Sequence, residues 1–148
     1  MLDFDLARFI DHLWRILLAF GLALPLGWER GKGRASVGFR TFPIVAMASC
    51  GYGLLARSLP GADAETLARM LQGLAAGIGF IGGGAILKAG GDIRGLATAA
   101  SIWNTGAIGV AVALQRTEIA VVLALVNLLS LLALTPLTKA AQGDGSNA

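Results

Sequence analysis

The sequence predicts an all-α integral membrane protein, a bundle of about five transmembrane helices with a glycine-rich helix at its centre. Hydrophobic residues make up 55% of the chain and charged residues 14%, against a usual charged share of about 25%. The charges fall in short clusters that leave five apolar windows. One uncharged run, between Arg69 and Lys88, carries many glycines. Small residues at this density let neighbouring helices pack closely in a bilayer.

Each apolar window is predicted to be a membrane-spanning helix. A spanning helix needs about 17 to 20 apolar residues. The last three windows are long enough as they stand, and the first becomes long enough when residues 12–15 are included and Arg15 extends its head group to the interface. The windows are residues 16–28, 41–56, 70–87, 95–115 and 119–138.

The second window is the weakest of the five. It contains Pro43, Gly51 and Gly53, and it reaches spanning length only if Arg40 and Arg57 both extend their head groups to the interfaces. A re-entrant or tilted segment is the alternative for this window. Without it, four spans would remain and both termini would lie on the same side.

The cationic residues predict the orientation. Four of them, Arg8, Arg57, Arg69 and Arg116, fall on the side of the N-terminus, seven fall on the other side, and Arg15 is left unassigned. By the positive-inside rule, the N-terminus lies outside and the C-terminus in the cytoplasm. The membrane domain is expected to cover residues 1–138, with residues 139–148 as a disordered cytoplasmic tail, because that tail is small and polar. The seven are Arg30, Lys32, Arg34, Arg40, Lys88, Arg94 and Lys139.

Several other functions are disfavoured by context. The segment from Gly77 to Gly82 matches the dinucleotide-binding pattern, but helix-forming residues precede it and Asp92 follows too soon. A lone Cys50 and a lone His12 make neither a disulfide nor a metal site. No nucleophile has an identifiable base, and no basic run is interleaved with aromatics. We therefore expect no enzyme, no cofactor, no resident metal and no nucleic-acid partner.

Four motifs follow one another along the chain. They are Gly-Trp-Glu-Arg at 27–30, Val-Gly-Phe-Arg-Thr at 37–41, the glycine run at 77–87, and Arg-Gly-Leu-Ala-Thr-Ala-Ala-Ser-Ile-Trp at 94–103. In this order and spacing, over roughly residues 10–138, the chain resembles the MgtC/SapB family. It looks like a short member without the C-terminal cytoplasmic domain that many members add.

The resemblance implies a bacterial inner-membrane location and an N-terminal hydrophobic domain of five helices. It also implies a regulator of other membrane proteins, linked to low-magnesium adaptation or virulence. The alternative is a small cation channel or transporter for magnesium. That alternative has little support from the residues, because a cation path would normally show ionisable groups or a broken helix at mid-membrane. A break at Gly82, Gly83 and Gly84 would be the best place for one.

The candidate functional residues lie at the predicted cytoplasmic ends of the spans. A carboxylate at membrane depth is costly unless it is paired. We therefore expect Glu29 to pair with Arg40 or Arg94, with Arg30 as a snorkelling anchor. The alternative is a Glu29 that is simply solvated at the interface.

Asp92, Arg94 and Thr98 form a second candidate cluster. Gly90 and Gly91 are expected to break the chain, after which Asp92 caps the next helix. In the alternative, Asp92 and Glu29 jointly attract a hydrated divalent cation. The polar residues beside Trp103 are expected to bond to a neighbouring helix.

The glycines predict helix packing and association. Gly73 with Gly77 and Gly79 with Gly83 give close-approach faces on the third span. Gly82 and Gly84 add small residues on its remaining side, and Gly95 and Gly106 of the fourth span are expected to line the third. A face left uncovered predicts a homodimer or contact with another membrane protein in the lipid bilayer. The alternative is a monomer in which every glycine face is filled.

Overall fold

The computed structural model describes residues 4–32, 38–89 and 92–144, with the side chains of 87–94 and 135–144 outside the description. The described residues confirm the all-helical membrane-type fold, with one small addition. Two three-residue strands form an antiparallel hairpin in which Leu87 lies opposite Arg94. The elements in chain order are α1 (Leu6–Gly31), α2 (Thr41–Ser58), α3 (Ala64–Gly84), β1 (Leu87–Ala89), β2 (Asp92–Arg94), α4 (Leu96–Ala113) and α5 (Thr117–Asp144).

The second helix runs the whole length of the bundle. Its start lies beside the end of α1, where the backbone of Gly38 approaches Gly27. At its other end, Arg57 Nη1 donates to the carbonyl oxygen of Ala113, the last residue of α4, at 3.1 Å. Eighteen residues rise by about 27 Å, close to the ≈30 Å thickness of the hydrocarbon core. The second window therefore forms one continuous helix, and the choice between a span and a tilted or re-entrant segment stays a prediction.

By length and composition, three of the described helices are apolar enough to cross a membrane. They are α1, α4 and the Thr117–Leu134 part of α5. Helices α2 and α3 carry more polar or small residues and do not meet the same criterion. Five spans therefore remain a prediction, although five helices are present among the described residues.

The most buried helix is α4, whereas the glycine-rich α3 lies at the edge. Helix α4 packs against α1, α2, α3 and α5, whereas α3 packs mainly against α4 and α2. Among the described residues of α3, Ile78 and Gly82 are buried. The predicted central position of the glycine-rich helix is wrong because α4 carries small residues on all its faces. Nine residues of α4 are buried: Ser101, Ile102, Thr105, Gly106, Ile108, Gly109, Ala111, Val112 and Ala113.

Polar side chains inside the bundle bond within or between helices. Asn104 Nδ2 donates to the Leu123 carbonyl oxygen at 3.3 Å, as expected for a contact with a neighbouring helix. Ser101 Oγ bonds to Asn127 Oδ1 at 3.1 Å. Thr105, by contrast, donates to the Ser101 carbonyl oxygen of its own helix at 2.7 Å. The Ser101 and Asn104 contacts tie α4 to α5, whereas the expected bond from Thr105 to a neighbouring helix is not formed.

The last helix extends further than the sequence suggests. Its backbone continues to Asp144, beyond residue 138, where we placed the end of the membrane domain. Residues 145–148 lie outside the described part of the chain. Residues 139–144, which the sequence assigns to a disordered tail, are therefore part of α5.

The start of α3 is fixed by an N-terminal cap. Asp63 Oδ1 accepts from the amide of Thr66 at 2.8 Å and from its hydroxyl at 2.7 Å. These bonds favour the carboxylate, so they lower the pKa of Asp63. The cap therefore stabilises the fold above the ordinary carboxyl pKa, and this contribution is lost as pH falls through the lowered pKa.

We expect Asp63→Ala to lower the melting temperature in detergent at neutral pH, because the first turn of α3 loses its cap. We expect Asp63→Asn to keep most of the cap, since its amide oxygen still accepts hydrogen bonds, and to reduce the loss of stability at acid pH. Thermal melts of the three proteins at pH 7 and near pH 3 measure both effects. Identical melting temperatures for wild type and Asp63→Ala at pH 7 would contradict the cap.

Candidate functional site

The four motifs meet at one end of the bundle. This end contains the end of α1, the turn before α2, the end of α3 and the start of α4. The rings of Trp28 and Phe39, from the first two motifs, pack edge to face with centroids 5.8 Å apart. Gly82 of the third motif faces Ala99 of the fourth. Segments far apart in sequence therefore build one site.

Glycines at the first two motifs allow a close backbone approach. A Cβ on Gly27 would lie 3.1 Å from the carbonyl oxygens of both Gly38 and Phe39. A Cβ on Gly38 would lie 3.0 Å from the Cβ of Arg30. A side chain at either position would push the end of α1 away from the turn that starts α2.

Arg30 points into the bundle towards α4. Its Nη2 and Nε donate to Thr98 Oγ1 at 2.5 and 3.2 Å, and the residue is half-buried. The snorkelling role stays a prediction, but the first turn of α4 offers the guanidinium a hydroxyl acceptor within the protein. This contact joins the first and fourth motifs.

Glu29 pairs with a neighbour on its own helix end. Its Oε2 lies 2.6 Å from Lys32 Nζ, three residues further on. The predicted pairing with Arg40 is wrong, because Lys32 satisfies the carboxylate locally. Arg94 has a side chain outside the description, so its pairing with Glu29 stays a prediction. The side chain of Glu29 is 22% exposed and that of Lys32 58% exposed, so the ion pair contributes little to stability.

Gly95, not Asp92, stands at the start of α4. Asp92 belongs to strand β2, and the cap position is Gly95, which has φ +95° and no side-chain cap. A Cβ there would collide with the Ala85 carbonyl oxygen. The predicted Asp92 cap is therefore wrong, since the hairpin places Asp92 one strand before the helix. Gly90 and Gly91, at the predicted chain break, lie outside the described residues.

The described side chains contain no group of three metal-ligating residues that could hold an ion. The hypothetical divalent site between Glu29 and Asp92 depends on the Asp92 side chain, which is not described. The helix α3 ends at Gly84, within the glycine run and before residue 87, where the predicted window ends. The carbonyl oxygens of Gly82 and Gly83 accept from the amides of Ala85 and Ile86 at 3.0 and 3.1 Å.

The predicted packing glycines divide into two groups. Three of them touch a neighbour: Gly82 faces the Ala99 carbonyl oxygen, Gly95 faces Ala85, and Gly106 faces the Ile78 side chain. At the remaining five glycines, a Cβ would meet no heavy atom within 4 Å: Gly73, Gly77, Gly79, Gly83 and Gly84.

Trp103, the last residue of the fourth motif, lies on α4 and is 54% exposed.

The comparison with known families covers the segments that build this site. The model of the MgtC family matches residues 16–140, which include all four motifs. The chain belongs to the MgtC family. No solved structure matches it.

Named relatives of the family are similar to this chain over part of their length. Protein SrpB of Synechococcus elongatus is 40% identical, over 65% of this chain and 59% of that protein. Protein MgtC of Brucella abortus is 36% identical, over 62% and 38%, and protein MgtC of Salmonella typhimurium is 32% identical, over 67% and 42%. The matches therefore span about 38 to 59% of the length of these MgtC-family relatives.

Sequence reasoning missed the contact between Arg30 and Thr98. Both residues stand in the motifs, but a pairing across 68 positions leaves no spacing signal. The available signal was a lone hydroxyl residue in the first turn of an apolar helix, Thr98, which can accept hydrogen bonds from a half-buried arginine.

Proposed function

We propose that this MgtC-family protein regulates another membrane protein, in low-magnesium adaptation or virulence, by direct helix contact and without catalysis. The observation that carries the proposal is the uncovered face of α3. Gly73 and Gly77, four residues apart on the face beside α2, have no heavy atom near the position of a Cβ, and Gly79 with Gly83 form a second open face. Small residues on an exposed membrane helix allow a second helix to approach closely, and van der Waals packing then holds the pair.

A groove beside this face supports the proposal. It lies between α2 and α3, has a volume of about 560 Å³, and is lined among others by Val45, Ser49, Gly77 and Ile78. An apolar helix would fill this groove. The occupant that we propose is a transmembrane helix of a different protein, and a second copy of this chain is the alternative.

The buried core gives the transport alternative no support. Its largest fully buried side chains include Leu26, Phe42, Ile102 and Ile108, and its buried polar residues are Ser49, Ser101 and Thr105. None of these carries a charge that could attract a divalent ion. We expect purified protein in liposomes to show no magnesium flux, and reproducible flux would overturn the proposal.

The experiment for the regulatory role is substitution of the α3 face. Gly77→Leu should abolish the contribution of the protein to growth in low magnesium, because the side chain keeps the partner helix at a distance. Gly21→Leu is the matched control: Gly21 lies on α1 and also has nothing within 4 Å. Equal growth of the two variants, at matched protein levels in the membrane, would contradict the proposal.

We further propose an inner-membrane protein of five spans with the C-terminus in the cytoplasm. The seven-to-four division of cationic residues supports this orientation. A reporter fused after Lys139 should therefore be active in the cytoplasm, and one fused before Leu13 should be active outside. A C-terminal fusion active outside the cytoplasm would overturn the orientation.

A further inference from the structure

We propose that the end of the bundle opposite the four motifs binds the phosphate of an anionic lipid headgroup. A cavity of about 280 Å³ opens there between the start of α1 and the ends of α2 and α4. We call it the arginine pocket, and its polar lining consists of Arg8, Asp11, His12, Arg15, Arg57, Ser58 and Gln115.

The arginine pocket has an excess of positive charge. Three arginines and one aspartate line it, which leaves two positive charges when His12 is neutral. Asp5, at the rim, lies 3.5 Å from Arg8, and both side chains are largely exposed, so this ion pair is screened by water. Among the described residues, Arg57 has no carboxylate within ion-pair distance. A concave site with this charge attracts anions.

One arginine forms the wall and another is available to a ligand. Arg15 is held in place by Asp11, with Nε to Oδ2 at 2.7 Å and Nη2 to Oδ1 at 2.9 Å, and its side chain is 17% exposed. Arg57 donates one N–H to the Ala113 carbonyl oxygen. A guanidinium carries five N–H donors in a planar fork that suits phosphate oxygens. Arg57 therefore supplies the main contacts to the anion.

The surroundings favour a lipid as the source of the phosphate. A second cavity of about 260 Å³ adjoins the arginine pocket, shares Arg15 and Gln115 with it, and is lined further by Trp14, Leu18 and Val112. Tryptophan is enriched at the level of the headgroups, and Trp14 is 64% exposed. The phosphate would then lie at Arg57, and the glycerol backbone that carries the acyl chains would lie beside Trp14 and Leu18.

The test uses the full chain in detergent and a short-chain phosphatidylglycerol, with phosphatidylcholine as the zwitterionic comparison. Wild type should bind phosphatidylglycerol more tightly than phosphatidylcholine. Arg57→Gln should weaken phosphatidylglycerol binding about tenfold, as expected for a lost charge-assisted contact. No preference in wild type, or unchanged binding by Arg57→Gln, would overturn the proposal.

Two further variants separate binding from folding and from general surface charge. Arg8→Gln removes a pocket arginine that makes no described contact with α4, and it should weaken binding about threefold while the melting temperature is unchanged. Arg69→Gln removes a cation that pairs with Glu65 outside the pocket, and it should bind like wild type. An equal loss in Arg69→Gln and Arg57→Gln would overturn the pocket.

Inorganic phosphate distinguishes the two sources of the ligand. Displacement of phosphatidylglycerol by millimolar phosphate, with the same dependence on Arg57, would assign the pocket to the phosphate group alone. If millimolar phosphate does not displace phosphatidylglycerol, and binding still depends on Arg57, the glycerol backbone and acyl chains beside Trp14 are also recognised.

Discussion

Replacing Gly109 with leucine is expected to destabilise the bundle more than any other single change proposed for this protein. Gly109 lies where α4 crosses α2, and a Cβ there would collide with the Ala46 carbonyl oxygen and lie 2.9 Å from the Cys50 amide nitrogen. These are backbone atoms of a helix, so they cannot move aside as a flexible side chain can. Overpacking of a filled core costs about 1 to 3 kcal/mol, and we expect a cost at or above the upper end of that range. The measurement is the fraction of protein that elutes as a single species in detergent, with its melting temperature.

The matched control for this prediction is Gly51→Leu. Gly51 belongs to α2, one residue from Cys50, but a Cβ there would meet nothing within 4 Å. It should elute and melt like wild type. A Gly109→Leu protein as stable as Gly51→Leu would show that α2 and α4 do not pack as described.

Breaking the contact between Arg30 and Thr98 is expected to have the second largest effect. Hydrogen bonds from a charged donor contribute about 1.5 to 3 kcal/mol, and partial exposure of Arg30 places the expected loss nearer 1 to 2 kcal/mol. We expect Arg30→Gln and Thr98→Val each to lower the free energy of unfolding by that amount. The double variant should lose less than the sum, because both changes remove the same bond.

Lys32→Gln is the control at the same end of α1. It removes an exposed partner of Glu29, and such pairs contribute about 0 to 1 kcal/mol. Chemical denaturation in detergent measures all four variants. Strictly additive losses for Arg30→Gln and Thr98→Val would contradict a direct contact.

The helical fold followed from the sequence because apolar length and charge clustering act locally. The position of the helices did not. Glycine spacing in α3 shows which faces another helix can approach, but not which face the rest of the chain fills. In the structure, Gly53 and Gly109 carry the tightest contacts between α2 and α4, while the α3 glycines remain largely uncovered. Which helix is central depends on tertiary packing, which no window of sequence contains.

The site residues were predictable as a group and their partners were not. Arg30 and Thr98 were both candidates, and they meet. Glu29, expected to reach across to Arg40, pairs with Lys32 because a partner three positions away on the same helix end is always within reach. Asp92 was read as a cap because the two glycines before it suggested a helix start. The hairpin instead moves the helix start to Gly95, whose positive φ suits glycine.

The open face of α3 is proposed to receive a helix of another protein. Photo-crosslinking in native membranes tests it most directly, with a photoreactive residue at Gly77 and the same residue at Gly21 as control. We predict that position 77 yields a discrete adduct with another membrane protein, while position 21 yields lipid adducts alone. An adduct of twice the mass of the chain would replace the proposed partner by a second copy. Lipid adducts alone at position 77, or the same protein adducts at both positions, would contradict the claim.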